Sequence, residues 1–106
     1  MTEFNAEEYC EKRLSEQFTL HGVGFGGLGP AFNHWMYRVR RYQFLRTIRR
    51  FANQTQGKRV LDIGAGTGFY VRLWSEELAV ESITGVDITE VVVTNLQTIF
   101  PNYDFH

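Results

Sequence analysis

Cysteine is nearly absent: Cys10 stands alone in 106 residues, which excludes an internal disulfide and a metal knot of the CxxC kind. No apolar stretch approaches the roughly 20 residues of a membrane-crossing helix. The acidic start, with Glu3, Glu7 and Glu8, lacks the positive region of a secretory leader. Cytoplasmic residence, with no membrane partner and no metal, is the expectation from these absences. Another absence is local. No Asp or Glu occurs from Gln17 through Leu61, although the whole chain carries a net charge of only −1. What remains is ordinary for a folded protein: 43% hydrophobic and 22% charged residues argue against disorder. The length allows one domain at most and, in principle, a buried core.

Against this background the stretch Val60–Tyr70, VLDIGAGTGFY, concentrates several demands. The run Val60-Leu61-Asp62-Ile63 is short and apolar enough for a buried parallel strand. Gly64, Gly66 and Gly68 follow at every second position, where a backbone without Cβ atoms turns tightly and approaches a ligand closely. Phe69, Tyr70, Val71, Leu73 and Trp74 then take up helical spacing. A ligand would sit at a helix N-terminus beyond a strand's carboxyl end, the place where open α/β sheets bind nucleotides. Two nucleotide classes fit poorly. A dinucleotide loop needs a third small residue where Phe69 stands, and a GxxxxGK[ST] phosphate loop needs a lysine that is missing. Asp62, at the strand end, would repel a pyrophosphate but suits a cationic ligand with an amino group and a sulfonium. A second acid, Asp87, closes the next strand, Ile83-Thr84-Gly85-Val86.

LDIGAGTG followed by GVDI resembles the first two motifs of class I S-adenosylmethionine-dependent methyltransferases. The resemblance implies a Rossmann-like parallel sheet flanked by helices, with S-adenosyl-L-methionine as cofactor. It implies that Gly64, Gly66 and Gly68, with Ala65 in the same loop, would line the methionine moiety. Asp62 would hold the amino group, directly or through water. Asp87 would accept both ribose hydroxyls, and Ile88 would pack on the adenine face. The alternative for the glycines is a tight turn without a ligand, and for Asp87 a helix-capping role. A complete sheet of this family needs more strands than the two clear ones here. The end, Asn102–His106, reads as a turn and the opening of a third strand. The fold is therefore expected to be α/β, truncated after the first two strands, and the chain to be the N-terminal part of a longer protein, marginally folded by itself.

The rest divides into an N-terminal helical and Gly-rich segment, residues 1–56, and an incomplete sheet domain, 57–106. Residues 5–18 read as an amphipathic helix capped by Asn5, with Tyr9, Leu14 and Phe18 on its apolar face. His21–Pro30 holds five glycines in ten residues and reads either as a linker or as a lid closing over the cofactor. A long helix is expected from Ala31 to Ala52, with Tyr37, Arg41, Phe44, Ile48 and Phe51 on one stripe. Its upper members, Arg41 and Tyr37, are candidates to pair with the cofactor's carboxylate, against the plainer roles of a surface arginine and a core-edge tyrosine. The same helix carries Arg38, Arg40, Arg41, Arg46, Arg49 and Arg50 among Trp35, Tyr37 and Tyr42. RNA is a conceivable partner for such a face, but the arginines are read as spread round the helix, which favours a solvated or intramolecular role. A further helix opens at Thr89, as N-cap, and buries Val92, Leu96 and Ile99 before Pro101 stops it.

The function expected is methyl transfer to a small-molecule acceptor. A non-catalytic nucleotide- or RNA-binding module and an NAD-dependent oxidoreductase are the alternatives, with aminopropyl transfer a remoter one. No catalytic residue is assigned. His21 and His34 flank the glycine-rich segment and are the nearest candidates for a general base.

Overall fold

The computed structural model describes residues 3–16, 18, 27–51 and 54–106. The elements follow in the order α1 (Ala6–Glu16), α2 (Gly29–Arg49), β1 (Arg59–Ile63), α3 (Phe69–Glu77), β2 (Ser82–Val86), α4 (Glu90–Ile99) and β3 (Asp104–Phe105). The architecture is α/β: a three-stranded parallel sheet in the order β1-β2-β3, flanked by helices and preceded by an N-terminal helix. Among the described residues no helix is long and apolar enough to cross a membrane.

The third strand is two residues long and begins where its opening was expected, within Asn102–His106. Phe105 pairs with Gly85 in register, and the His106 amide donates to the Gly85 carbonyl at 3.0 Å while Asp87 N–H donates to the His106 carbonyl at 3.0 Å. Gly85 permits this. A Cβ there would stand 2.5 Å from Cδ1 of Phe105, so the ring lies flat across a strand position that has no side chain.

In β1 the exposed residues are Arg59, Leu61 and Ile63, while in β2 Ile83 and Gly85 are buried. The register sets Val60 beside Ile83 and Asp62 beside Gly85, so these share the covered face and Leu61 and Ile63 share the open one. Strand order follows chain order, so crossovers of one hand place α3 and α4 on the same face. Ile83, Val71, Val92, Leu96 and Phe105 form the core there, joined by Leu14 of α1. A second cluster, Leu45, Leu73 and Leu78, fastens α2 to α3.

Local details adjust the expected helices. Asn5 caps α1 as expected, its Oδ1 accepting from Glu8 N–H at 3.2 Å. Of that helix's apolar face Leu14 is buried, whereas Tyr9 is exposed and packs beside Phe4. The stripe on α2 holds for Tyr37, Phe44 and Ile48. It fails at Phe51, which falls beyond the helix end and is exposed, and at Arg41, whose side chain leaves the core to meet Glu77. Leu45 takes the vacated share of the packing. On α4, Val92 and Leu96 are fully buried but Ile99 is exposed; Phe100 packs on the core in its place.

Candidate functional site

The loop after β1 is held by backbone bonds. Gly64 and Ala65 N–H both donate to the Val86 carbonyl, at 2.8 and 3.2 Å, and Gly68 N–H donates to the Ala65 carbonyl at 2.9 Å. Gly64, Gly66 and Gly68 all have left-handed backbone, φ 74°, 55° and 80°, a conformation that costs other residues about 1–2 kcal/mol. At Gly68 there is also no room: a Cβ would lie 2.8 Å from Leu96 Cδ2 and 3.0 Å from Phe100 Cε2. At Gly64 a Cβ would meet nothing within 4 Å, so that glycine leaves open space above the loop.

Asp87 ties this loop to the next. One carboxylate oxygen accepts from Gly66 N–H at 3.1 Å; the other accepts from Thr89 N–H at 3.0 Å and the Thr89 hydroxyl at 2.8 Å. Thr89 was expected to cap α4 and makes no side-chain cap bond, because its buried hydroxyl is given to Asp87. Asp87 thus has the helix-entry role weighed for it, while each of its oxygens keeps lone-pair capacity facing the cleft.

Asp62 is in the opposite condition. Its Oδ2 is shut off from solvent without a hydrogen-bond partner among the described residues. Burial, and secondarily the negative charge of Asp87, push its carboxyl above the ordinary carboxylate value. A buried acceptor left unpaired costs about 1–3 kcal/mol, and a cationic donor relieves both that cost and the repulsion.

These loops border a cleft of about 390 Å³, within the size range of small-molecule sites. Gly64, Ala65, Gly66, Asp87 and Ile88 line it from the strand ends; Tyr37, Phe69 and Tyr70 form one wall, and Cys10, Arg13 and Leu14 of α1 another. Tyr37 is buried and meets the Phe69 ring edge-on at 4.8 Å, with the Arg40 guanidinium 4.9 Å from its centroid. Ile88 is exposed at the cleft.

Arg41 is a correction. Its guanidinium donates to Glu77, beside Arg49, which reaches the same carboxylate at 3.2 Å, and it lines a separate groove. The strong charge partner at the C-terminal end of α3 draws it away from the strand ends. The arginine at the cleft is Arg13, which sequence reasoning missed together with Cys10. The available signal was helical spacing: Cys10 and Leu14 stand four residues apart and so share a face. His34 is exposed, and His21 and most of the glycine-rich segment lie outside the described residues. Among the described residues no cluster of His, Cys, Asp or Glu gathers to hold a metal ion.

No family model matches the chain, and no curated protein or solved structure matches it either. What the cleft can take is therefore set by its own chemistry. It offers a glycine-rich backbone surface, the Asp87 carboxylate, an aromatic wall and one guanidinium, while Asp62 lies behind the loop at the adjacent strand end and does not itself line the cleft. That set suits a ligand with a cationic amine, vicinal hydroxyls, a flat apolar part and a carboxylate.

Proposed function

We propose that the chain is the cofactor-binding part of a Rossmann-like, class I S-adenosylmethionine-dependent methyltransferase acting on a small-molecule acceptor. The observation that carries this reading is the orphaned, buried carboxylate oxygen of Asp62 at the strand end that feeds the glycine loop. A ligand ammonium supplies the donor and the charge that Asp62 lacks, whereas a pyrophosphate would be repelled there. Phe69 also argues against a dinucleotide, since its ring fills the position where close helix–strand approach is required and packs on Tyr37.

S-adenosylmethionine, when bound, supplies a methyl group already activated by its sulfonium. The residues of this chain align and dry the site. Asp62 holds the amino group, and Gly64 leaves the methionine portion room against the backbone. Arg13 takes the carboxylate role that the sequence suggested for Arg41. Asp87 accepts the ribose hydroxyls while keeping Gly66 in place, and Ile88 covers the adenine face. Tyr37 and Phe69 close the wall against water.

Titration calorimetry with S-adenosylhomocysteine and with NAD tests the reading. Binding of the homocysteine compound is expected; binding of NAD in its place would overturn the assignment. Asp87→Ala should weaken binding by about 1.5–3 kcal/mol, as for hydrogen bonds to a charged acceptor. Because Asp87 also holds the loop and α4, the denaturation midpoint of the variant is measured alongside. Unchanged affinity would leave Asp87 with the helix-entry role alone.

A further inference from the structure

A second groove, of about 660 Å³, runs along α2 and is lined by Arg38, Arg41, Tyr42, Leu45, Arg46, Arg49 and Arg50. The arginines are thus gathered rather than spread: five share this groove, and Arg40 alone turns to the Tyr37 ring. Glu77 neutralises part of the charge through Arg41 and Arg49. Arg38, Arg46 and Arg50 make no ion pair among the described residues. Positions 38, 42, 46 and 50 form one row of the helix surface, successive members about 6 Å apart along the axis. Within that row Tyr42 is 60% exposed, and Trp35, two helical turns before it on the same side, is exposed to the same degree.

We infer that this groove binds single-stranded nucleic acid, its guanidinium groups on successive phosphates and Tyr42 and Trp35 beneath unpaired bases. Guanidinium groups alone suit phosphate and carboxylate alike. Exposed Tyr42 among them, with Trp35 just beyond the groove on the same side of the helix, favours a strand over an acidic peptide, because every base presents a face that stacks. They favour unpaired over duplex strands, whose bases are already stacked on one another. The inference is independent of the methyl-transfer reading, since it concerns the side of α2 that carries the arginines and not the cleft.

Fluorescence anisotropy of the 106-residue chain with labelled oligouridylate and oligothymidylate of about twelve nucleotides, the corresponding duplex, and polyglutamate tests it. Both single strands should bind more tightly than the duplex or polyglutamate; a preference between the two identifies RNA or DNA as the source. Neutralising three to five phosphates gives a log–log salt slope of about −2 to −3.5. The triple variant Arg38→Glu, Arg46→Glu, Arg50→Glu should lose at least tenfold in affinity. Tyr42→Ala, which leaves charge and core alone, should lose about fivefold or more for the strands and nothing for polyglutamate. Circular dichroism of both variants should match the parent. Strand affinity indifferent to Tyr42, polyglutamate binding as tight as the strands, or no strand binding at low salt would each overturn the proposal.

Discussion

The cleft at the strand ends and the groove along α2 share one helix, with Tyr37 lining the first and Arg38 the second, yet they are made of opposite materials. The cleft is shaped by backbone: three left-handed glycines, a carbonyl of β2 that receives two amides, and a carboxylate that bridges two loops. The groove is shaped by long side chains on a helix whose backbone bonds are satisfied internally. A backbone-built site is rigid and intolerant, because moving one residue moves the chain. A side-chain-built site is adaptable and shares its charge among several equivalent groups.

That contrast is broken most forcefully at Gly68. Gly68→Ala combines left-handed strain with a clash against Leu96 and Phe100 and should cost about 2–4 kcal/mol of stability. Gly64→Ala, with the same handedness but open space, should cost only about 1–2 kcal/mol. Urea denaturation of the two variants checks the order; equal losses would mean that strain alone, and not packing, governs the loop.

A smaller effect follows from Asp62. Its carboxyl titrates above the ordinary value because of burial and then Asp87. The folded state therefore holds that proton more firmly than the unfolded chain does. The resulting stability is fully present below the unfolded value, near pH 4, and is lost as pH rises through the elevated folded value. Asp62→Asn should flatten this segment of the stability–pH profile while weakening the binding of an amine-bearing ligand. A profile unchanged by the substitution would show that Asp62 is not the group responsible.

The smallest effect belongs to the groove. Arg46→Ala, at an exposed position without an ion pair among the described residues, should alter stability by less than about 0.5 kcal/mol. A larger loss in the denaturation midpoint would mean that the groove is part of the fold's support.

Legibility in the sequence divides along the same line. The glycine loop, its two flanking strands and the helix after it could be read because backbone demands restrict residue type locally: three alternating glycines after an apolar run leave few conformations. Asn5 was legible for the same reason. The contacts that could not be read join distant segments. The opening of a third strand in Asn102–His106 was legible, but nothing near Gly85 announces that the Phe105 ring will lie across it. Arg41 fell on the correct helical stripe, but periodicity cannot foresee a carboxylate 36 positions away. The gathering of arginines was misjudged because six basic residues in thirteen positions look evenly dispersed until a groove selects five of them. Thr89 had the residue type of a cap, yet its hydroxyl went to a neighbour two positions back.

The hydrogen bond from Val91 N–H to Glu11 Oε1, 3.3 Å long, joins residues 80 apart. It anchors α1 to the start of α4, and α1 is the element that brings Cys10, Arg13 and Leu14 to the cleft. In a chain made from its N-terminus, α1 is synthesised before its anchor on α4. The wall carrying Arg13 therefore waits, without its docking surface, through the synthesis of both crossovers. That side of the cleft closes only once translation has passed α4, so a wall made earlier takes its place after the element on which it docks.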